Sequence, residues 1–160
     1  MYKRQLLAYV KDGMAVSGTI SMPMLDEVYS GGDGCGATCN GAPIHVSDQT
    51  DLDDCVIYIN EGEKLFAERP DQFERLLKTG KVRRLGYDCY PHALLAAGHI
   101  DVVIDYDLKP YDFLALSPVV DAAGGIMTNW DGERLGMCSD GAVVSAATPK
   151  LHQALLEILK

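Results

Sequence analysis

The chain is short of basic residues: 14 Lys and Arg stand against 23 Asp and Glu, a formal net charge of −9. Nucleic acid and anionic membrane surfaces both reward clusters of Lys and Arg, so no nucleic-acid or membrane partner is expected. No apolar run approaches the length of a membrane span. Internal repeats, low-complexity segments and linker-like stretches are missing as well. The five cysteines (Cys35, Cys39, Cys55, Cys89, Cys138) are odd in number and scattered, which excludes a complete disulfide framework. Reduced thiols in a cytoplasmic protein are the expectation. Cys35 and Cys39 lack a second pair at zinc-like spacing. Acidity does not exclude a phosphorylated ligand, because a bound divalent cation inverts the local field.

What is present suits one domain of 160 residues, with 48% apolar and 23% charged residues. Residues 6–10 and 14–22 are β-rich runs flanking Lys11-Asp12-Gly13, a hairpin signal. Residues 27–30 suit a third strand, and the glycine-rich stretch 31–36 reads as an irregular loop. Asn40-Gly41 marks another tight turn. Further strands are expected at 55–59, 82–85, 101–105, 126–130 and 142–146. Helices are expected at 64–78 (broken at Pro70), 90–98, from Pro110 onward, and 149–160. Strands alternating with helices after residue 80 argue for an α/β layer, behind a hairpin-rich first half.

The segment Leu108-Lys109-Pro110-Tyr111-Asp112-Phe113 is the most informative. Proline fits the first helical position, where its missing N–H has no intrahelical partner. Asp112, two residues on, sits where unpaired amides and the helix dipole favour negative charge. Phe113, Leu116, Val120 and Ala123 recur at helical spacing, leaving Asp112 free to point elsewhere. By spacing alone it is a dipole-complementing acid or a ligand.

The motifs RRLGYDCY (83–90), AAGHID (96–101), LKPYD (108–112) and DAAGGIMTNWDG (121–132), with the tail at 139–159, resemble the inositol monophosphatase-like phosphatases. They are most similar to that family's bacterial histidinol-phosphate phosphatase branch. The resemblance runs from Leu6 to Lys160 and implies an α/β fold, the C-terminal part of an αβαβα sandwich. It implies Mg²⁺-dependent hydrolysis of a small phosphorylated metabolite, histidinol phosphate or an inositol phosphate, by an enzyme that is a homodimer at full length. Asp112 is then a Mg²⁺ ligand. Gly86, Asp88 and Asp105 belong to the substrate side, and Arg84 orients that loop or faces the phosphate. Tyr87 replaces a small residue, which changes the pocket and leaves the substrate open. A sugar bisphosphate or a 3′-phosphoadenosine nucleotide is an alternative.

The family's other metal motifs, a Glu-Glu pair and an Asp-Pro-hydrophobic-Asp-Gly-Thr loop, do not occur in the sequence. Residues 6–10 resemble the strand that follows that loop. The opening MYKRQ resembles the translated end of a sequencing-library adapter. Residues 1–5 are therefore expected to be non-native, and 6–160 an incomplete phosphatase domain. Within it, 6–60 would be the remainder of the first sheet and 61–160 the C-terminal layer. Without the missing carboxylates the chain is expected to be inactive. A naturally short, non-catalytic domain that binds a phosphorylated metabolite or assembles with a partner is the reading of another class. No Ser-His-Asp context surrounds His45, His92, His99 or His152, which read as structural or surface residues. Nothing in the sequence near Cys89 lowers its pKa.

Overall fold

A computed structural model describes residues 4–86 and 88–160. Tyr87, which carried the expectation of an altered pocket, and residues 1–3 of the five expected to be non-native lie outside the described residues; Arg4 and Gln5 are described.

The first sheet is an antiparallel meander in the order β1 (Gln5–Lys11), β2 (Met14–Met22), β3 (Glu27–Gly32), β4 (Gly36–Cys39) and β5 (Ala42–Ile44). Asp12 and Gly13 turn β1 into β2 with φ of 52° and 80°, and Asn40 and Gly41 turn β4 into β5 with 50° and 82°. Left-handed values at both central residues match the twist of the flanking strands, as the sequence signals required. Pro43 is tolerated because β5 is an edge strand.

The second sheet has the order β7-β6-β8-β10-β9, from β6 (Val56–Asn60), β7 (Val82–Gly86), β8 (Val102–Asp105), β9 (Ile126–Asn129) and β10 (Val143–Ala146). β6 runs parallel to both β7 and β8, while β10 is antiparallel to β8 and β9. Grouping 6–60 with the first sheet is corrected here, since Val56–Asn60 pairs entirely within the second. Its partners come later in the chain, so local sequence does not announce them. Its continuous apolar run is nevertheless that of a strand covered on both faces.

The helices are α1 (Gly62–Glu68), α2 (Pro70–Leu77), α3 (Tyr90–Ala96), α4 (Pro110–Phe113), α5 (Leu116–Ala122) and α6 (Pro149–Leu159). Pro70, Pro110 and Pro149 each open their helix at the first position. Thr148 caps α6, its hydroxyl accepting the Leu151 N–H. α3 and α5 fill the space between the sheets, where Ile20, Leu95, Val103, Phe113 and Val119 share one core. α1, α2 and α6 cover the other face of the second sheet through Leu65, Leu76, Leu151 and Leu155. Sheet, helices, sheet, helices are four layers of the expected αβαβα order. Among the described residues no helix is long and apolar enough to cross a membrane.

The third strand extends past Ser30 through Gly31 and Gly32, which pair with Gly18 and Ser17. Packing explains why the glycine-rich stretch is not wholly a loop. A Cβ on Gly18 would lie 2.0 Å from the Ala115 carbonyl oxygen, and one on Gly31 would lie 2.8 Å from Val119 Cα. Glycine here lets α5 lie directly on the sheet.

Gly18→Ala is expected to destabilise the fold by about 1–3 kcal/mol, the usual range for overpacking, read as a lowered urea midpoint. On the opposite face of β1, Leu7 and Tyr9 are 72% and 63% exposed on an edge strand. Such an edge invites pairing with another chain. Replacing both by threonine, which keeps strand propensity, should raise the monomer fraction in light scattering while changing stability by about 0.5 kcal/mol or less.

Candidate functional site

Parallel strands end on the same side of a sheet. The register sets Asn60 of β6 opposite Gly86 of β7, and Ile59 opposite Ile104 of β8. The residues leaving these three strands therefore emerge together: Asn60 and Glu61, Gly86 and Asp88, and Asp105. Ligand crevices in open α/β sheets form at such carboxyl ends. Of these, Glu61, Asp88 and Asp105 line one wall of a cavity of about 430 Å³, closed by the 106–108 segment and Asp112, with Asn60 and Gly86 packed behind it.

Asp105 is 2% exposed and held by three N–H donors. Its Oδ2 accepts from Asn60 Nδ2 at 2.6 Å and His92 Nε2 at 3.3 Å, and its Oδ1 from the Tyr106 amide at 3.0 Å. Asp88 has φ of 74°, a left-handed conformation that Asp tolerates better than most residues. Its Oδ1 accepts the Tyr90 amide N–H at the start of α3, and its Oδ2 pairs with Arg4. Gly86 must be small, since a Cβ there would lie 2.8 Å from Asn60 Oδ1.

Asp112 occupies the third position of α4. Its Oδ2 accepts the Lys109 N–H at 2.9 Å, one half of a capping box. This is the dipole-complementing role read from spacing, and the same carboxylate borders the cavity. Across the rim, Asp107 pairs with Lys109 and Lys64. The Lys109 ammonium, then that of Lys64, holds the Asp107 carboxyl down at about 2. Lys109 thus serves as a charge beside the acids.

Four of the five residues singled out from sequence meet here: Gly86, Asp88, Asp105 and Asp112. Arg84 does not. It is exposed on edge strand β7, and its guanidinium bonds the Arg83 carbonyl oxygen at 2.9 Å, away from the cavity lining. Sequence reasoning passed over Asn60 and Glu61 and read His92 as a structural or surface residue. Asn60 closes an apolar strand, and a polar residue at a strand's carboxyl end is the signal that marks it. His92 offers no such signal, because its partners lie 13 and 53 residues away.

A Mg²⁺ ion needs several oxygen ligands in near-octahedral array. Among the described residues no group of three or more His, Cys, Asp or Glu side chains is arranged to hold a metal. Asp112 alone, with one oxygen engaged in capping, does not make a site. The carboxylates present fit a ligand's cationic or hydroxyl groups instead.

A sequence profile of the inositol monophosphatase family matches residues 6–160. The chain is 37% identical over 162 residues to a chloroplastic bifunctional phosphatase of Arabidopsis thaliana, covering 97% of this chain and 47% of that one. It is 32% identical over 142 residues to a histidinol-phosphatase of Chlorobaculum parvum, covering 86% and 54%. An inositol monophosphatase structure from Zymomonas mobilis superposes with a TM-score of 0.92 at 34% identity, covering 96% of this chain and 61% of that one. The chain thus spans about half the length of the curated relatives it matches.

Burial, followed by the charge of Asp88, pushes the Cys89 thiol up to about 12, which keeps it protonated near neutral pH. Burial does the same to Cys55. In native protein at pH 8, iodoacetamide should label the exposed Cys35 and Cys138 quickly. Cys55 and Cys89 should react only after denaturant is added, as peptide mass mapping would show.

Proposed function

This chain belongs to the inositol monophosphatase family, and on that premise we propose that it forms the substrate-recognition half of a Mg²⁺-dependent phosphomonoesterase. The substrate is a small phosphorylated metabolite of the histidinol phosphate or inositol phosphate type. One observation carries the proposal: Asp88 and Asp105 converge at the carboxyl ends of parallel strands, facing Asp112 across a cavity of substrate size. In this reading Asp112 supplies one metal ligand, while Asp88 and Asp105 take the organic part of the molecule. Bound Mg²⁺ would neutralise phosphate charge and lower the pKa of a bound water. The described residues do not build that ion's cage, and their part is recognition rather than hydrolysis.

The carboxylates favour an amino alcohol over a neutral polyol. Asp88, Asp105, Asp107 and Glu61 border the cavity, with Arg4 placed where a ligand ammonium would meet Asp88. A cationic ligand therefore competes with Arg4 for Asp88. The similarity to a histidinol-phosphatase supports the same choice.

Two measurements test the proposal. The purified 160-residue protein should hydrolyse histidinol phosphate at the uncatalysed rate with or without Mg²⁺; Mg²⁺-dependent turnover would refute the view that Asp112 is an isolated ligand. In NMR titrations, histidinol should bind more tightly than inositol, lose affinity as salt rises, and gain affinity in Arg4→Ser. Equal, salt-independent binding of both would remove the amino-alcohol reading.

A further inference from the structure

We propose that His92 and Asn60 are positioning residues that hold the Asp105 carboxylate so that one lone pair faces the cavity. That lone pair takes a single N–H or O–H donor from the non-phosphate part of a ligand. The ligand half of this inference rests on the function proposed above, whereas the arrangement of the side chains does not.

His92 is fully buried on α3. Its Nε2 lies 3.3 Å from Asp105 Oδ2 and its Nδ1 3.0 Å from Ser145 Oγ on β10. A carboxylate oxygen accepts, so Nε2 carries the hydrogen; in the neutral ring Nδ1 then accepts from the Ser145 hydroxyl. Ser145 thereby fixes the tautomer and ring plane that His92 presents to Asp105.

Asn60 grips the other side. One amide hydrogen goes to Asp105 Oδ2 at 2.6 Å and the other to the Asp88 carbonyl oxygen at 3.1 Å. Both partners are acceptors, so the amide has one workable orientation. The consequence is that Asn60 Oδ1 is buried with no hydrogen-bond partner. An unpaired buried acceptor is destabilising, and an apolar residue at this strand end would avoid it. What the arrangement achieves is a fixed distance between the left-handed turn at Asp88 and the Asp105 carboxylate. A carboxylate has about four acceptor sites. Asn60 and His92 take both on Oδ2, and the Tyr106 amide takes one on Oδ1. The remaining Oδ1 site is all that a ligand can use.

The experiment uses the 160-residue protein with ¹⁵N-labelled histidine and histidinol as probe. His92 should carry its proton on Nε2 with Nδ1 bare, and the Nε2–H signal should survive exchange with water. That signal should move in Asp105→Asn and again when histidinol is added. His92→Leu should keep its thermal transition yet bind histidinol about tenfold more weakly, the effect of losing one aligned hydrogen bond. His92→Gln, which restores a donor at the same reach, should recover most of that loss.

The inference is overturned if the Nε2–H signal is absent or indifferent to Asp105→Asn. Wild-type affinity in a folded His92→Leu variant overturns it equally. If the wild-type protein does not bind histidinol, the substrate reading falls, and the Asp105→Asn response still decides the arrangement. The same response decides it if His92→Leu fails to fold.

Discussion

The two parallel pairings of β6 organise most of what this chain can do. β7 joins one side of β6 and β8 the other, so the chain moves outward by one strand and then back across two. Crossovers between parallel strands are right-handed, and reversing the direction of travel puts the second connection on the opposite face of the sheet. The helices obey this rule. α1 and α2, between β6 and β7, pack with α6 on the outer face. α3, between β7 and β8, packs toward the first sheet. Connections leaving to opposite faces open a crevice at the carboxyl ends of the strands. Asp88 and Asp105 line it, tied together by Asn60, because all three stand at or just past the carboxyl ends of aligned strands.

The first sheet and α5 hold the other wall. α5 reaches the sheet because Gly18 and Gly31 lack side chains, and this contact carries α4 and Asp112 to the cavity. A second close approach steadies the segment between β8 and α4. The Leu108 N–H donates to the Gly141 carbonyl oxygen at 3.0 Å, and a Cβ on Gly141 would lie 1.9 Å from the Leu108 carbonyl oxygen. Asp112 is therefore fixed twice, by its cap and by the anchoring of the segment ahead of it. A carboxylate that caps its own helix has lost rotamer freedom before any ligand arrives, which lowers the entropic cost of binding.

Features with local causes were legible in the sequence. Asp12-Gly13 and Asn40-Gly41 are turns because their residues accept positive φ, and Pro110 opens a helix because proline has no N–H to place. Asp112 and Asp105 were found through motif resemblance, and their meeting at one cavity follows from strand register. Features with non-local causes were not legible. The extension of β3 through Gly31 depends on α5, some 85 residues later, where α-helix and sheet touch. The sheet to which Val56–Asn60 belongs depends on partners that follow it. His92 reads as an ordinary histidine until β10 brings Ser145 to it and β8 brings Asp105. Arg84 lies away from the cavity for a related reason: β7 is an edge strand, and its residues 83–85 all meet solvent.

Charge balance separates the acids that share the cavity. Asp107 is neutralised by Lys64 and Lys109, and Asp88 by Arg4. Asp105 lies deepest and, among the described residues, has no lysine or arginine partner. Its charge is met by N–H dipoles from Asn60, His92 and Tyr106, which are fixed and do not dissociate. Lysines on the rim can swing away into water, so salt and competing ions weaken their pairs readily. Fixed dipoles around a buried carboxylate respond far less to salt. In the proposed function a ligand ammonium would compete with Arg4 for Asp88 and would meet an Asp105 already oriented by these donors. The acids at the mouth are thus held by ion pairs that salt weakens, and Asp105 at the bottom by hydrogen bonds from groups fixed in the fold.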